Sequence, residues 1–394
     1  MKQTVRDIDV GNKRVLVRVD FNVPLAHGKV ADDARLRATV PTIEFLRQQK
    51  AKVILISHLG RPKGKVEESL RLAPVAAHLS ELLELPVRTA PDCIGSAAAS
   101  AAHALQPGDV LLLENVRFHP EEEQNDPDFA RHLASLADVF VNDAFGAAHR
   151  AHASTQGITA YLPSVAGLLM EKEIATLSQL LHAPEAPFVA LIGGAKISTK
   201  IGVLTNLLKQ VDVFVLGGGI ANTLLKAQGI AVSESLVEDG LLSVAAEFMA
   251  QAEEANVAVV LPRDAVVGSA GEANSAGRVV GIDAIPEDTM IGDIGPATVE
   301  DVKAVLASAG TVLWNGPLGL FEEERFAGST RAIAQTLAGC AATTIVGGGE
   351  TVAAVEFYGA ANEISHLSTG GGATLEFLEG KSLPGVAALQ EPSQ

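Results

Sequence analysis

The chain has 394 residues, 47% hydrophobic and 20% charged, which excludes bulk disorder and exceeds what one core usually holds, so about two domains are expected. Its net charge of −17 and aromatic content of only 4% argue against a basic, aromatic-studded nucleic-acid surface. Cys93 and Cys340 lie far apart without CxxC spacing, the N-terminus lacks the apolar core of a signal peptide, and no apolar run reaches about 18 residues, so the expected place is the cytoplasm and no membrane partner is expected. Charge is uneven along the chain. Residues 1–150 carry 19 Lys+Arg against 20 Asp+Glu and hold 12 of the 16 arginines, while residues 151–394 carry 11 against 27. Because arginine grips carboxylate and phosphate bidentately, an anionic small ligand is expected in the first part.

In chain order, Arg14-Val15-Leu16-Val17-Arg18-Val19-Asp20 reads as a strand that Pro24 stops. Ligands of open α/β sheets sit where strands end, which makes Asp20 and Asn22 candidates for hydrogen-bonding substrate hydroxyls. A helix follows through Phe45, with Asp32 and Asp33 in its first turn and Arg35 early on it. Lys52 to Ser57 is a second strand, leaving through His58-Leu59-Gly60-Arg61-Pro62. Gly60 to Lys65 imitates a P-loop, but its spacing is wrong and Val66 stands where Ser or Thr should hold Mg²⁺. A helix from Leu72 to Leu85, a short strand Val87-Arg88 and a strand Val110 to Glu114 come next, the last leading to Arg117 and an acidic run, Glu121 to Glu123, that reads as a solvated face. The strand Ala137 to Asp143 ends in Ala144 to His152. His149 and His152 are three apart without a third ligand nearby, so Arg150 is the stronger candidate.

Val165 to Leu181 has helical spacing and is expected to connect the domains. Beyond it, Phe188-Val189-Ala190-Leu191-Ile192 stops at Gly193-Gly194 and gives way to a helix-like segment with Lys196 and Lys200 on one face, a place to hold phosphate. Gly217-Gly218-Gly219, Gly347-Gly348-Gly349-Glu350-Thr351 and Gly370-Gly371-Gly372 repeat the arrangement. None fits the dinucleotide fingerprint. In one parallel sheet, however, all four share an edge and are expected to aim backbone N–H groups at one polyphosphate, with Mg²⁺ held by Glu350. Trp314 reads as core.

These segments resemble the phosphoglycerate kinase family. Arg18-Val19-Asp20-Phe21-Asn22-Val23-Pro24, His58-Leu59-Gly60-Arg61-Pro62, Glu114-Asn115-Val116-Arg117-Phe118, Ala148-His149-Arg150-Ala151-His152, Gly193-Gly194-Ala195-Lys196, Trp314-Asn315-Gly316-Pro317 and Ser368-Thr369-Gly370-Gly371-Gly372 carry the resemblance, in order and along essentially the whole chain. It implies an α/β fold of two doubly wound, Rossmann-like parallel-sheet domains joined by a hinge helix. The implied layout is a phosphoglycerate-binding domain over 1–164, hinge and linker over 165–187, a nucleotide-binding domain over 188–377 and a tail, 378–394, returning to the first domain. The implied enzyme is a usually monomeric, Mg²⁺-dependent kinase of glycolysis that moves phosphate between 1,3-bisphosphoglycerate and ADP. By the same resemblance, Asp20, Phe21, Asn22, Arg35, His58, Leu59, Gly60, Arg61, Arg117 and Arg150 bind the phosphoglycerate, and Lys196 with Arg35 stabilises the phosphoryl group in flight. Lys200, Glu322, Gly348, Gly349, Glu350 and Thr351 bind nucleotide, with Gly217, Gly218, Asn315, Gly371 and Gly372 beside them. Where the family commonly has Asp in its Gly-Gly-Gly-Asp segment, Glu350 keeps the charge and adds a methylene.

The arginines precede residue 151 and the Gly-rich turns come after 192, yet both must reach one phosphoryl group, so the domains are expected to close over both substrates. Solution scattering should give a smaller radius of gyration with both substrates than with either alone; an unchanged profile would require a preformed cleft.

Overall fold

The computed structural model describes residues 2–269 and 276–392. It divides into two compact units, Met1–Ala175 with Ser382–Gln394, and Thr176–Lys381.

The first unit runs β1 (Arg14–Arg18), β2 (Leu25–Ala26), β3 (Lys29–Val30), α1 (Ala34–Gln48), β4 (Lys52–Ile56), α2 (Ala73–Leu83), β5 (Val87–Thr89), α3 (Gly95–His103), β6 (Val110–Leu112), α4 (Pro120–Glu123), α5 (Pro127–Ala134), β7 (Val139–Asn142), β8 (Ser164–Ala166) and the start of α6 (Leu168–His182). Its six-stranded sheet has the order β5-β6-β4-β1-β7-β8, parallel throughout. Successive side chains point to opposite faces of a strand, so the near-continuous apolar runs fill two cores. Val15, Val17, Val53, Leu55, Val139 and Val141 pack with Leu36, Ile43 and Leu46 of α1 and Val75 and Leu79 of α2. On the other face, Leu16, Ile54, Ile56, Leu111 and Phe140 pack with Ala98 and Ala102 of α3 and Phe129 and Leu133 of α5.

The second unit continues with β9 (Phe188–Ile192), α7 (Ile201–Leu207), β10 (Val213–Leu216), α8 (Gly218–Ala227), α9 (Leu242–Glu254), β11 (Ala258–Val260), β12 (Asp264–Gly268), β13 (Arg278–Gly281), β14 (Met290–Ile294), α10 (Pro296–Leu306), β15 (Thr311–Asn315), α11 (Gly328–Ala338), β16 (Thr343–Gly347), α12 (Gly349–Phe357), β17 (His366–Leu367) and α13 (Gly372–Leu378). Its parallel sheet has the order β11-β10-β9-β15-β16-β17. Trp314 is fully buried with Val189, Val312 and Ile333, its indole N–H donating to Gly316 O at 3.0 Å. An antiparallel sheet, β13-β12-β14, which the sequence reading does not anticipate, adds a small core around Ala265 and Val267. After α13 the chain forms α14 (Pro384–Ala387) within the first unit, where Gly385 N donates to Ala148 O and Gln390 N to Ser164 O.

Several local expectations need correction. Asp32 and Asp33 precede α1; Asp32 accepts from Ala34 N, while Asp33 pairs with Arg37 and His78. Val165 and Ala166 belong to β8, pairing with Val141 and Asn142, so the connecting helix begins only at Leu168. Between β8 and that helix, Gly167 N–H donates to Asn142 O, and a Cβ there would lie 2.1 Å from Asp143 Oδ1. Glu122 is fully buried, because one turn of α4 rolls it inward from its exposed neighbour Glu123.

Candidate active site

In the first unit the strand order reverses between β1 and β7, the position at which open parallel sheets offer a crevice beyond their carboxyl ends. Asp20 and Asn22 follow β1, His58 to Arg61 follow β4, Arg117 follows β6 and Arg150 follows β7, so parallel strands deliver them to one edge. Hydrogen bonds tie the loops together. Arg35, in the first turn of α1, lies 3.1 Å from Asp20 Oδ2 and donates to Asn22 O at 3.0 Å. Asn22 Oδ1 accepts from Gly60 N at 2.8 Å, and Arg117 Nη1 donates to Gly60 O at 3.0 Å. Arg117 Nε is buried without a hydrogen-bond partner; Glu123 lies 3.3 Å away but out of alignment. A buried guanidinium N–H left unpaired is costly and is the kind of donor an anion satisfies. Arg61 and Arg150 are exposed, Arg150 donating to His149 at 3.1 Å. Phe21 and Leu59 are core side chains, and Phe21 N already donates to Ser57 Oγ; Phe21 thus contributes through packing.

Beneath this edge lies a residue the sequence reading left out. Arg18 is fully buried; its Nε donates to Ser154 Oγ at 2.8 Å, and Ser154 donates onward to Glu122 Oε1 at 2.6 Å and, from its backbone N, to Oε2 at 2.9 Å. Arg18 Nη2 lies 3.1 Å from His58 Nδ1. A guanidinium has only donors, so Nδ1 accepts and the imidazole proton sits on Nε2. Burial, then the positive Arg18, Arg117 and Arg35, holds the His58 pKa well below its usual value. His58 is a neutral Nε2–H donor. Burial and the charges of Arg117, Arg18 and Arg150 likewise lower His152 to about 4, which records how closely these cations gather. The available signal was an arginine inside a strand of otherwise buried apolar residues, and a middle glutamate whose helical turn could face inward. His149 and His152 acquire no third ligand; among the described residues, the group with three converging donor atoms of metal-ligand type is elsewhere.

In the second unit the order reverses between β9 and β15. There Lys200 Nζ donates to Gly193 O at 2.7 Å and Asn315 O at 2.8 Å, the ends of those two strands. Burial lowers its pKa to about 8, with Glu350 opposing. The expected shared helical face is corrected: Lys196 and Lys200 flank a 3-10 turn over Ile197–Thr199, α7 begins only at Ile201, and Lys196 is exposed while Lys200 is buried. Gly316 has φ 92°, and a Cβ there would lie 2.3 Å from Gly193 O and 2.4 Å from Lys200 Nζ, so glycine is required for the two strand ends to meet around the ammonium.

The Gly-rich turns are not equivalent. Gly217 N donates to Ile192 O and Gly218 N to Leu318 O, so neither N–H is available to a phosphate, correcting that expectation. A Cβ on Gly219 would lie 2.1 Å from Ala195 O; this turn lets two loops touch. At α12, by contrast, the first-turn donors of a nine-residue helix stand open, Gly349 and Glu350 are exposed, and Thr351 Oγ1 accepts from Gly316 N at 2.7 Å. Asn315 Nδ2 is buried without a hydrogen-bond partner. Gly371 has φ 52° and, with Gly372, begins the seven-residue α13. Glu322 is exposed beyond β15.

A family model described as phosphoglycerate kinase matches residues 5–381. The chain is 58% identical to the phosphoglycerate kinase of Moorella thermoacetica over 390 residues, covering 99% of both chains, and 57% identical to that of Pelotomaculum thermopropionicum, covering 98% of this chain and 99% of the other. Among solved structures, the phosphoglycerate kinase of Coxiella burnetii matches with a TM-score of 0.89 at 44% identity over 98% of each chain. That of Pyrococcus horikoshii matches with 0.86 at 33%, covering 99% of this chain and 98% of that one.

Proposed function

Since the chain belongs to the phosphoglycerate kinase family, we propose how its residues divide the reaction. That reaction is the reversible transfer of phosphate from 1,3-bisphosphoglycerate to ADP, giving 3-phosphoglycerate and ATP in glycolysis, with Mg²⁺ accompanying the nucleotide; enzymes of the family are generally monomeric. The cytoplasm is the inferred location: the family is a soluble glycolytic one, Cys93 and Cys340 are both free, and no helix among the described residues is long and apolar enough to cross a membrane.

The first unit holds the phosphoglycerate. Asp20 and Asn22 take its hydroxyl, Arg61, Arg117 and Arg150 with the His58 Nε2–H take its phosphate, and Arg35 stands by its carboxyl end, where the transferring group sits. The loop backbone from Phe21 and from Leu59 to Gly60 frames it. The second unit holds the nucleotide: Lys200, Asn315 and the start of α12 from Gly348 to Thr351 take phosphates, Glu322 reaches the ribose, and Gly371 with Gly372 borders the pocket. Gly217 and Gly218 shape the wall without donating. Phosphoryl transfer needs in-line placement and positive charge about the equatorial oxygens. No general base is needed, because the acyl phosphate's leaving carboxylate and the ADP oxygen are already ionised at neutral pH. Lys196 and Arg35 supply the charge.

Glu350 fits the metal. It is an exposed hard oxygen donor in the first turn of α12, beside the phosphate donors, and Mg²⁺ takes one or two carboxylates together with substrate phosphates and waters. When bound, the ion offsets phosphate charge.

The observation that carries this division is that the carboxyl edge of each sheet holds buried cationic nitrogen, Arg117 beyond β6 in one unit and Lys200 between β9 and β15 in the other. Calorimetric titration tests it. Arg117→Ala should weaken 3-phosphoglycerate binding and leave ADP binding unchanged, and Lys200→Met should do the reverse; either variant losing both ligands equally would overturn the assignment. The lowered Lys200 pKa gives a sign as well. Nucleotide binding favours the ammonium, so the KM for ADP should rise as pH passes about 8. A KM flat from pH 7 to 9.5 would remove Lys200 from the phosphates.

A further inference from the structure

Apart from the residues assigned above, three chemically different donors converge in the first unit. Asp92 and Cys93 lie between β5 and α3, and His119 immediately precedes α4. One ligand atom of each lies within 4.8 Å of the other two. Asp92 Oδ1 is 2.7 Å from His119 Nε2 and accepts the Cys93 backbone N–H at 2.6 Å. The Cys93 thiol also hydrogen-bonds to Asp92, and burial, followed by the Asp92 charge, keeps it protonated. The His119 ring rests on Phe129, centroids 5.2 Å apart. One carboxylate thus gathers a thiol hydrogen and an imidazole hydrogen from two separate loops.

We propose that Asp92, Cys93 and His119 form a binding site for one borderline-soft divalent cation of the Zn²⁺ class, distinct from the Mg²⁺-nucleotide site. In a tetrahedral site with metal–sulfur bonds of about 2.3 Å and metal–nitrogen bonds of about 2.1 Å, ligand atoms sit about 3.5 Å apart. The present triangle reaches that by modest side-chain rotation, the Asp92–His119 pair opening and the thiol drawing in. The exchange balances: the thiol releases one proton to solvent, and a neutral imidazole moves its Nε2 hydrogen to Nδ1. The cation then occupies the space between sulfur, carboxylate oxygen and Nε2. Thiolate, carboxylate and a divalent ion sum to zero charge, which suits a site fully buried at Cys93 but with 47% and 24% of the Asp92 and His119 side chains exposed. The exposed side is the entry path and leaves a coordination position for water. A thiolate and an imidazole disfavour Mg²⁺, a hard ion that dehydrates reluctantly, and favour Zn²⁺ or Co²⁺.

This site shares no residue with the kinase assignments, and its test separates from theirs. Nucleotide-free protein titrated with Co²⁺ should develop a thiolate-to-cobalt charge-transfer band that saturates at one equivalent and is erased by Zn²⁺. An oxygen site at Glu350 cannot produce that band. Cys93→Ser should abolish it and Cys340→Ser should retain it. His119→Gln, at a side chain partly exposed and so readable even where the buried Cys93 variant folds poorly, should weaken Co²⁺ binding by more than about tenfold. Absence of the band at millimolar Co²⁺, its persistence in Cys93→Ser, or unchanged affinity in His119→Gln would each overturn the proposal.

Discussion

Replacing Lys196 with alanine is expected to lower kcat by about two orders of magnitude or more, with the KM of either substrate changed far less. Lys196 is exposed at the end of the Gly193-Gly194-Ala195 turn, its charge not spent on a buried partner, whereas Lys200 is held by two backbone carbonyls. In the proposed division, the first follows charge that develops on the equatorial oxygens and the second meets a nucleotide phosphate in the ground state. Arg35→Ala should behave like Lys196→Ala. Arg117→Ala should mainly raise the phosphoglycerate KM, because Arg117 anchors Gly60 and, in the proposed division, meets the bound anion before transfer begins. Saturating steady-state kinetics decide it: a Lys196→Ala enzyme with wild-type kcat would end the role given to Lys196.

Arg18→Met should produce two effects that can be pulled apart. The substitution deprives the fully buried Glu122 of the Arg18 charge that reaches it through Ser154, and is expected to lower stability. It also removes the donor that fixes the His58 tautomer. Adding Glu122→Gln removes the orphaned charge, so the double variant should regain much of the stability in chemical denaturation while keeping a raised phosphoglycerate KM and a near-normal ADP KM. A purely structural role predicts that KM recovers with stability. Nitrogen-15 shifts of His58 supply the independent readout: the wild type should show protonated Nε2 and bare Nδ1 at neutral pH, with any titration well below the usual histidine range, and the Arg18→Met variants should show mixed tautomers. A protonated Nδ1 in the wild type would refute the positioning role.

Much of this molecule was legible in its sequence. Strands such as Val15 to Val17 and Val189 to Ile192 are apolar at consecutive positions, and only a sheet covered on both faces buries both sets, so a parallel α/β fold follows from patterning alone. Parallel strands also end at one edge, which is why Asp20, His58, Arg117 and Lys196 stand out as polar residues just beyond their strands. Tertiary structure decided the rest, because it depends on partners remote in sequence. Glu122 looked solvated until α4 turned it toward Ser154 and Arg18; flanked by Glu121 and Glu123, its identity alone does not say which of the three the turn would carry inward. Gly217 and Gly218 looked like phosphate donors until Ile192 and Leu318 took their N–H groups. Lys196 and Lys200 look alike as letters. One is exposed and the other buried because Gly316, more than a hundred positions away, lacks the Cβ that would have filled the space of the ammonium. Sequence periodicity fixes which faces are buried; only packing fixes which polar groups meet, since each must find its partner where the chain happens to bring one.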